Sequence, residues 1–200
     1  VGSLVFGTDG TLLLSVGDCA SYNGTDNGGQ QPGTYVDVAL NEGILKPHEN
    51  VGAFRAQTVD SHCGKILRLN PNNGDGLPSN PFFDSSEPRA PRSRVWALGL
   101  RNPFRMTLKP GTGSHNAEDG NPGALYIGDV GYVTWEELNV CDGPAQNFGW
   151  PIYEGHHLEP GYAPVLTDNP SAPNPLASGC GIDFFRYQDL LVQDTLNEPY

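Results

Sequence analysis

The residues best equipped for chemistry stand where apolar runs stop. The run Val95 to Leu100 gives way to Arg101-Asn102-Pro103. Leu12 to Val16 ends on Gly17-Asp18, and Leu125 to Ile127 ends on Gly128-Asp129. A guanidinium fork grips a carboxylate at two points, and the neighbouring amide offers a ligand both a donor and an acceptor. The plainer reading stays open for each. An aspartate after a strand accepts backbone N–H bonds in an Asx turn, and Arg-Asn-Pro is at home in a surface turn. Glu137, in Trp135-Glu136-Glu137-Leu138-Asn139, is either a hard oxygen ligand for a cation or the solvent-facing member of an alternating strand.

These residues need elements to position them, and the chain reads as all-β. Leu4-Val5-Phe6, the turn Gly7-Thr8-Asp9-Gly10, and Thr11 to Val16 form strand, tight turn, strand. Gly64 to Asn70, Val95 to Leu100, Arg105 to Lys109, Ala124 to Asp129 and Trp135 to Asn139 follow, with Asp183 to Tyr187 as the last strand. No periodic helix appears. The pattern strand, turn, strand, Gly-Asp occurs twice, ending at Asp18 and at Asp129. Two copies of one supersecondary unit predict propeller blades of roughly 40–50 residues, here with parts of their neighbours. In a propeller, equivalent strand ends open on one face, so the two carboxylates would point towards one site, able to position a sugar hydroxyl or a cation. Residues 20–62 form a Gly-, Asn- and Pro-rich insertion with an apolar-acidic middle from Val36 to Leu45. A loop that long is functional or anchored.

Composition narrows the classes. Among 200 residues there are 26 glycines, 18 prolines and 17% charged residues, which argues against helix bundles. A formal charge of −12 disfavours nucleic acid as a partner. No apolar run reaches the ~20 residues of a membrane-spanning helix. There is no G-x-G-x-x-G opening a helix, no G-x-S-x-G, no H-E-x-x-H and no Walker loop. Cys19, Cys63, Cys141 and Cys180 lie far apart, which speaks against zinc and for two disulfides in an oxidising compartment. If the strands ending at Val16 and starting at Gly64 are antiparallel neighbours, Cys19 pairs with Cys63 and Cys141 with Cys180. Asn23-Gly24-Thr25 is a glycosylation sequon. Trp96, Trp135 and Trp150 are expected between blades, His156-His157 in a solvated loop, and His62 in a structural role.

Gly99-Leu100-Arg101-Asn102-Pro103, Gly128-Asp129-Val130-Gly131, Trp135 to Asn139 and Asn147-Phe148-Gly149-Trp150-Pro151 together resemble the core motifs of the soluble glucose/sorbosone dehydrogenase family. The resemblance covers most of residues 2–155. It implies a six-bladed β-propeller, of which this chain carries only some blades, and oxidation of a small-molecule sugar with pyrroloquinoline quinone (PQQ) and Ca2+. On that resemblance Arg101, Asn102, Asp18 and Asn23 face the cofactor. The carbonyls of Gly131 and Tyr132 hold the calcium that anchors the quinone, and Glu137 with the Phe148 carbonyl holds a second, structural calcium. The family's general-base histidine lies before the strand that Leu4-Val5-Phe6 matches, so the chain reads as a processed or excised piece of an extracellular or periplasmic protein. The insertion, the cysteines and Tyr132, where a glutamine is common, depart from the pattern. A second reading is a non-enzymatic secreted propeller that binds protein or glycan, since interaction proteins of the hedgehog-interacting type resemble the same family.

Overall fold

Two antiparallel sheets, each running in chain order, form the body of the protein in a computed structural model that describes residues 2–30 and 34–191. The first sheet contains β1 (Leu4–Phe6), β2 (Leu12–Val16), β3 (Lys65–Leu69) and β4 (Val95–Leu98). The second contains β5 (Pro103–Leu108), β6 (Leu125–Asp129) and β7 (Glu137–Cys141). Two hairpins follow, β8 (Tyr153–Glu154) with β9 (His157–Leu158), and β10 (Asp168–Pro173) with β11 (Phe184–Arg186). β7 begins two residues beyond the expected Trp135 start.

Local sequence explains the strands that form. β2 alternates buried and half-buried positions, as a strand with one face on a core must. Its turn from β1 closes with Gly10 at φ 75°, and the Asp9 carboxylate accepts from the Thr11 N–H at 3.0 Å. β3 is buried along most of its length and carries two cations inside. Arg68 pairs with Asp9 at 2.7 Å and also donates to Ser79, Asn80 and the Ala117 carbonyl. Lys65 Nζ donates to the carbonyls of Arg55, Ala56 and Cys63 at 2.6–2.8 Å. Each buried charge is therefore fully bonded, as burial demands.

Among the described residues no helix is long enough to show a period, but short ones form. α1 (Val36–Asn41), α2 (Pro91–Arg94), α3 (Ala177–Cys180) and α4 (Tyr187–Leu191) are helical, each four to six residues long. Fewer than two turns give a 3.6-residue period no room to repeat, which is why the sequence hides them. Among the described residues no helix is long and apolar enough to cross a membrane.

The insertion is anchored at both ends. β2 and β3 are antiparallel neighbours with Val16 opposite Lys65, so Cys19 and Cys63 meet and form a disulfide with Cα atoms 5.7 Å apart. The expected Cys141–Cys180 bridge is absent, and this is a correction. Cys141 ends β7 inside the core between the sheets, and Cys180 is exposed at the end of α3. Pairing by elimination takes no account of burial, which separates these two.

Two apolar clusters result. The first takes Leu13, Ile66, Trp96 and Ala97 from the first sheet and Met106, Leu125, Ile127 and Cys141 from the second. The second lies beneath the insertion, around Phe54, Trp150, Ile152, Tyr162 and Tyr187. Trp96 and Trp150 are buried as expected, but Trp135 is 46% exposed, against the expectation that it packs between blades.

Candidate functional site

The ends of β2, β4 and β6 are stitched to one another by the backbone around Arg101. The Asp18 N–H donates to the Arg101 carbonyl at 2.8 Å, and the Val130 N–H to the Asn102 carbonyl at 3.0 Å. Asp129 reaches across to the same turn. Its Oδ2 accepts from the Arg101 N–H at 3.0 Å and its Oδ1 from the Asn102 N–H at 2.6 Å. Asp129 thus fixes the Arg-Asn backbone rather than presenting its carboxylate outward. Asp18 follows the plainer of its two readings, the Asx turn, and adds a side-chain partner. Oδ1 closes an Asx turn on the Ala20 N–H at 3.1 Å, and Oδ2 accepts from the Trp150 indole at 2.8 Å.

Burial pushes both carboxyls up. Asp129 rises to about 7, because desolvation and the charges of Glu137 and Asp18 outweigh the two N–H bonds. Asp18 is raised by desolvation too, against the pull of its hydrogen bonds and of Arg101 and Arg55.

The Arg101 side chain is held through Nη1 and backed by two adjoining rings. Nη1 donates to the carbonyls of Val130 at 2.9 Å and Gly131 at 2.6 Å. The guanidinium carbon lies 5.4 Å from the Tyr132 ring centre and 5.6 Å from that of Trp150, within cation–π range. Nη2 and Nε make no bond among the described residues, and the residue is half-exposed. That leaves a positioned cationic edge able to take a carboxylate. Asn102 is half-exposed beside it. Asn23 is not brought to this group by any bond; it is exposed in the insertion, its N–H donating to Ser21 Oγ.

The loop after β6 is shaped by Glu154, which the sequence reading missed. Its carboxylate accepts from the N–H groups of Tyr132, Val133 and Thr134. Gly131 fits because nothing else does: a Cβ there would sit 1.6 Å from the Trp135 carbonyl oxygen. No local signal marks Glu154, since its partners lie twenty or more residues upstream.

The expected ligand groups fit unequally. A quinone bearing carboxylates suits the open edge of Arg101 and the amide of Asn102. A calcium on the Gly131 and Tyr132 carbonyls does not fit this arrangement, because the Arg101 guanidinium already holds the Gly131 carbonyl and would repel a second cation there. Glu137 and Phe148 do line one cavity, with the Glu137 carboxylate accepting from the Gly155 N–H at 2.5 Å and the Asn139 amide at 2.9 Å. A carboxylate has lone pairs beyond those two bonds, so the pair suits a hard cation. Among the described residues no three His, Cys, Asp or Glu side chains converge as a metal cluster.

Known proteins match this chain over most of its length. The family model described as Glucose / Sorbosone dehydrogenase covers residues 1–178. The HIPL2 protein of Arabidopsis thaliana is 27% identical over 157 residues, 78% of this chain and 19% of the plant protein. The Aldose sugar dehydrogenase YliI of Escherichia coli (strain K12) is 30% identical over 118 residues, 59% of this chain and 26% of that enzyme. The PQQ-bound form of Aldose Sugar Dehydrogenase from Streptomyces coelicolor superposes with a TM-score of 0.48 at 25% identity, over 80% of this chain and 33% of that one. The chain spans about a fifth of the plant relative's length. With nearly nine-tenths of its residues inside the family model, the chain belongs to the glucose/sorbosone dehydrogenase family.

Proposed function

We propose that this chain is the part of a sugar dehydrogenase propeller that holds the polar edge of pyrroloquinoline quinone. The observation that carries the reading is the state of Arg101: backed by two adjoining rings, anchored through Nη1, with its remaining N–H groups free to grip a carboxylate. Asn102 supplies an amide to a ligand oxygen, and Asp129 fixes the backbone of both. Bound quinone supplies the hydride acceptor for oxidation of an aldose at C1. The part of these residues is to hold and orient, and Trp150 shields one side of the guanidinium from water. Family membership supports the sugar substrate, and calcium at Glu137 and Phe148 is proposed as a structural ion. The Cys19–Cys63 disulfide supports an extracellular or periplasmic setting.

Quinone titration of wild type and Arg101→Lys, each folded as judged by circular dichroism, tests the reading. Lysine keeps the charge but loses the planar fork. The variant is expected to bind roughly ten- to a hundredfold more weakly, about 1.5–3 kcal/mol. Equal binding would reduce Arg101 to a turn residue. Absence of quinone binding by wild type would replace this reading with the non-enzymatic propeller.

A further inference from the structure

We propose that the cleft between β7 and the β8–β9 turn is a carbohydrate-binding subsite, with the Trp135 indole as its stacking platform. It is built from different side chains than the Arg101 site and does not depend on quinone binding.

Three observations converge. Trp135 is 46% exposed, whereas Trp96 and Trp150 are 2% and 4% exposed. Its ring is nevertheless fixed. A Cβ added to Gly155 would lie 3.4 Å from its Cγ and Cδ1, so the indole rests against bare backbone on one side. The imidazoles of His156 and His157, 3.9 Å apart, lie together on one side of it with ring centres 6.2 Å away. An aromatic face held in place and left half-open to water is the surface on which the C–H face of a pyranose stacks.

The same ring borders a cavity of about 420 Å3 shared with Glu136, Leu138, Asn139, Phe148 and His156. That size and mixed lining suit a small ligand oriented by a few polar groups. Glu137 serves the floor, since its carboxylate oxygens accept from Gly155 and Asn139. Glu136 is engaged through Oε2 alone, at 3.3 Å from the Gly131 N–H, which leaves Oε1 to accept sugar hydroxyls. Two carboxylates on one wall select against anions. The calcium proposed at Glu137 and Phe148 belongs to the floor of this same cleft, whereas the sugar is assigned to the Trp135 face and Glu136 Oε1. A neutral sugar, apolar on one face and rich in hydroxyl donors at its rim, matches this set.

The tryptophans make the test direct, because solvent-quenchable fluorescence reports Trp135. The full chain is titrated with D-glucose and with cellobiose in EGTA, so that no response belongs to calcium. Expected is a saturable blue shift with protection from acrylamide for at least one of the two sugars. Isothermal titration then compares Trp135→Ala, Trp135→Phe and Glu136→Gln. Trp135→Ala should weaken binding about tenfold or more, Glu136→Gln several-fold, and Trp135→Phe should stay within about threefold of wild type. Trp135 is largely outside the core and Glu136→Gln keeps its acceptor for Gly131, so folding is preserved. No saturable response from wild type up to about 100 mM of either sugar, a concentration that would detect even very weak sites, overturns the proposal. So does binding that survives Trp135→Ala unchanged, which would assign the sugar to another site while leaving the quinone reading intact.

Discussion

Asp129 does its work by position, and its environment gives that work a pH dependence. Its carboxyl rises from an ordinary 3.8 to about 7 in the folded protein, chiefly through burial. Between those values the folded state holds a proton that the unfolded state has lost. Stability from this group is therefore greatest at low pH, falls as pH rises from about 4 to about 7, and is level above, at up to about 1.4 kcal/mol per pH unit. Asp129→Asn cannot titrate. Urea midpoints at about pH 4.5 and about pH 7.5 should show the variant gaining on wild type as pH rises; a pH-independent difference would refute the assignment. The sequence made Asp129 visible as a carboxylate at a strand exit. It did not show that both oxygens face the backbone of residues 27 and 28 positions upstream, because such bonds exist only once β5 and β6 pair. Arg101 and Asn102 stood out only as residue types at a strand exit, and the carbonyls that hold the guanidinium, 29 and 30 positions on, left no local signal.

Among the elements, the insertion shows how far local signal reaches. Its anchoring disulfide followed from strand order, since antiparallel neighbours bring Cys19 beside Cys63. Its interior did not, because α1 buries no residue and leaves no apolar stripe to read. The short turn Gly52–Gln57 buries Phe54 completely, but through a 3-10 geometry that sets no familiar period. Opening the loop should be costly. With the cysteines 44 positions apart in sequence, reduction is expected to lower stability by about 3–4 kcal/mol in the loop-entropy picture. Urea melts with and without dithiothreitol measure it, and coincident curves would show that Lys65 and Phe54 hold the insertion without the bridge. At the next loop, Glu154→Gln should lower the midpoint by the equivalent of about 1–3 kcal/mol, because a carboxylate accepting three N–H groups is replaced by an amide with one acceptor oxygen.

For the whole molecule, the placement of the two apolar clusters decides what is coupled to the site. The cluster between the sheets supports β2, β4 and β6 from behind. The cluster under the insertion reaches the site directly, because its rings run on from Phe54 through Tyr162 to Trp150 and Tyr132. Those last two rings back the Arg101 guanidinium together. Gln57 adds a polar link, its amide donating to the Trp150 carbonyl at 2.6 Å and accepting from Asn147 at 2.7 Å. The insertion is thus part of the wall that orients Arg101. Two substitutions separate the clusters. Ile127→Ala, in β6, should cost about 2–5 kcal/mol of stability and leave the affinity of the remaining folded protein for quinone near that of wild type. Phe54→Ala should cost about 3–5 kcal/mol and also weaken quinone binding, since Tyr162 and then Trp150 lose the support that keeps their rings fixed. Both are measured at a temperature where each variant remains folded, by urea melts alongside quinone titration. Equal quinone affinity in the two variants would mean that the insertion only covers the site and does not shape it.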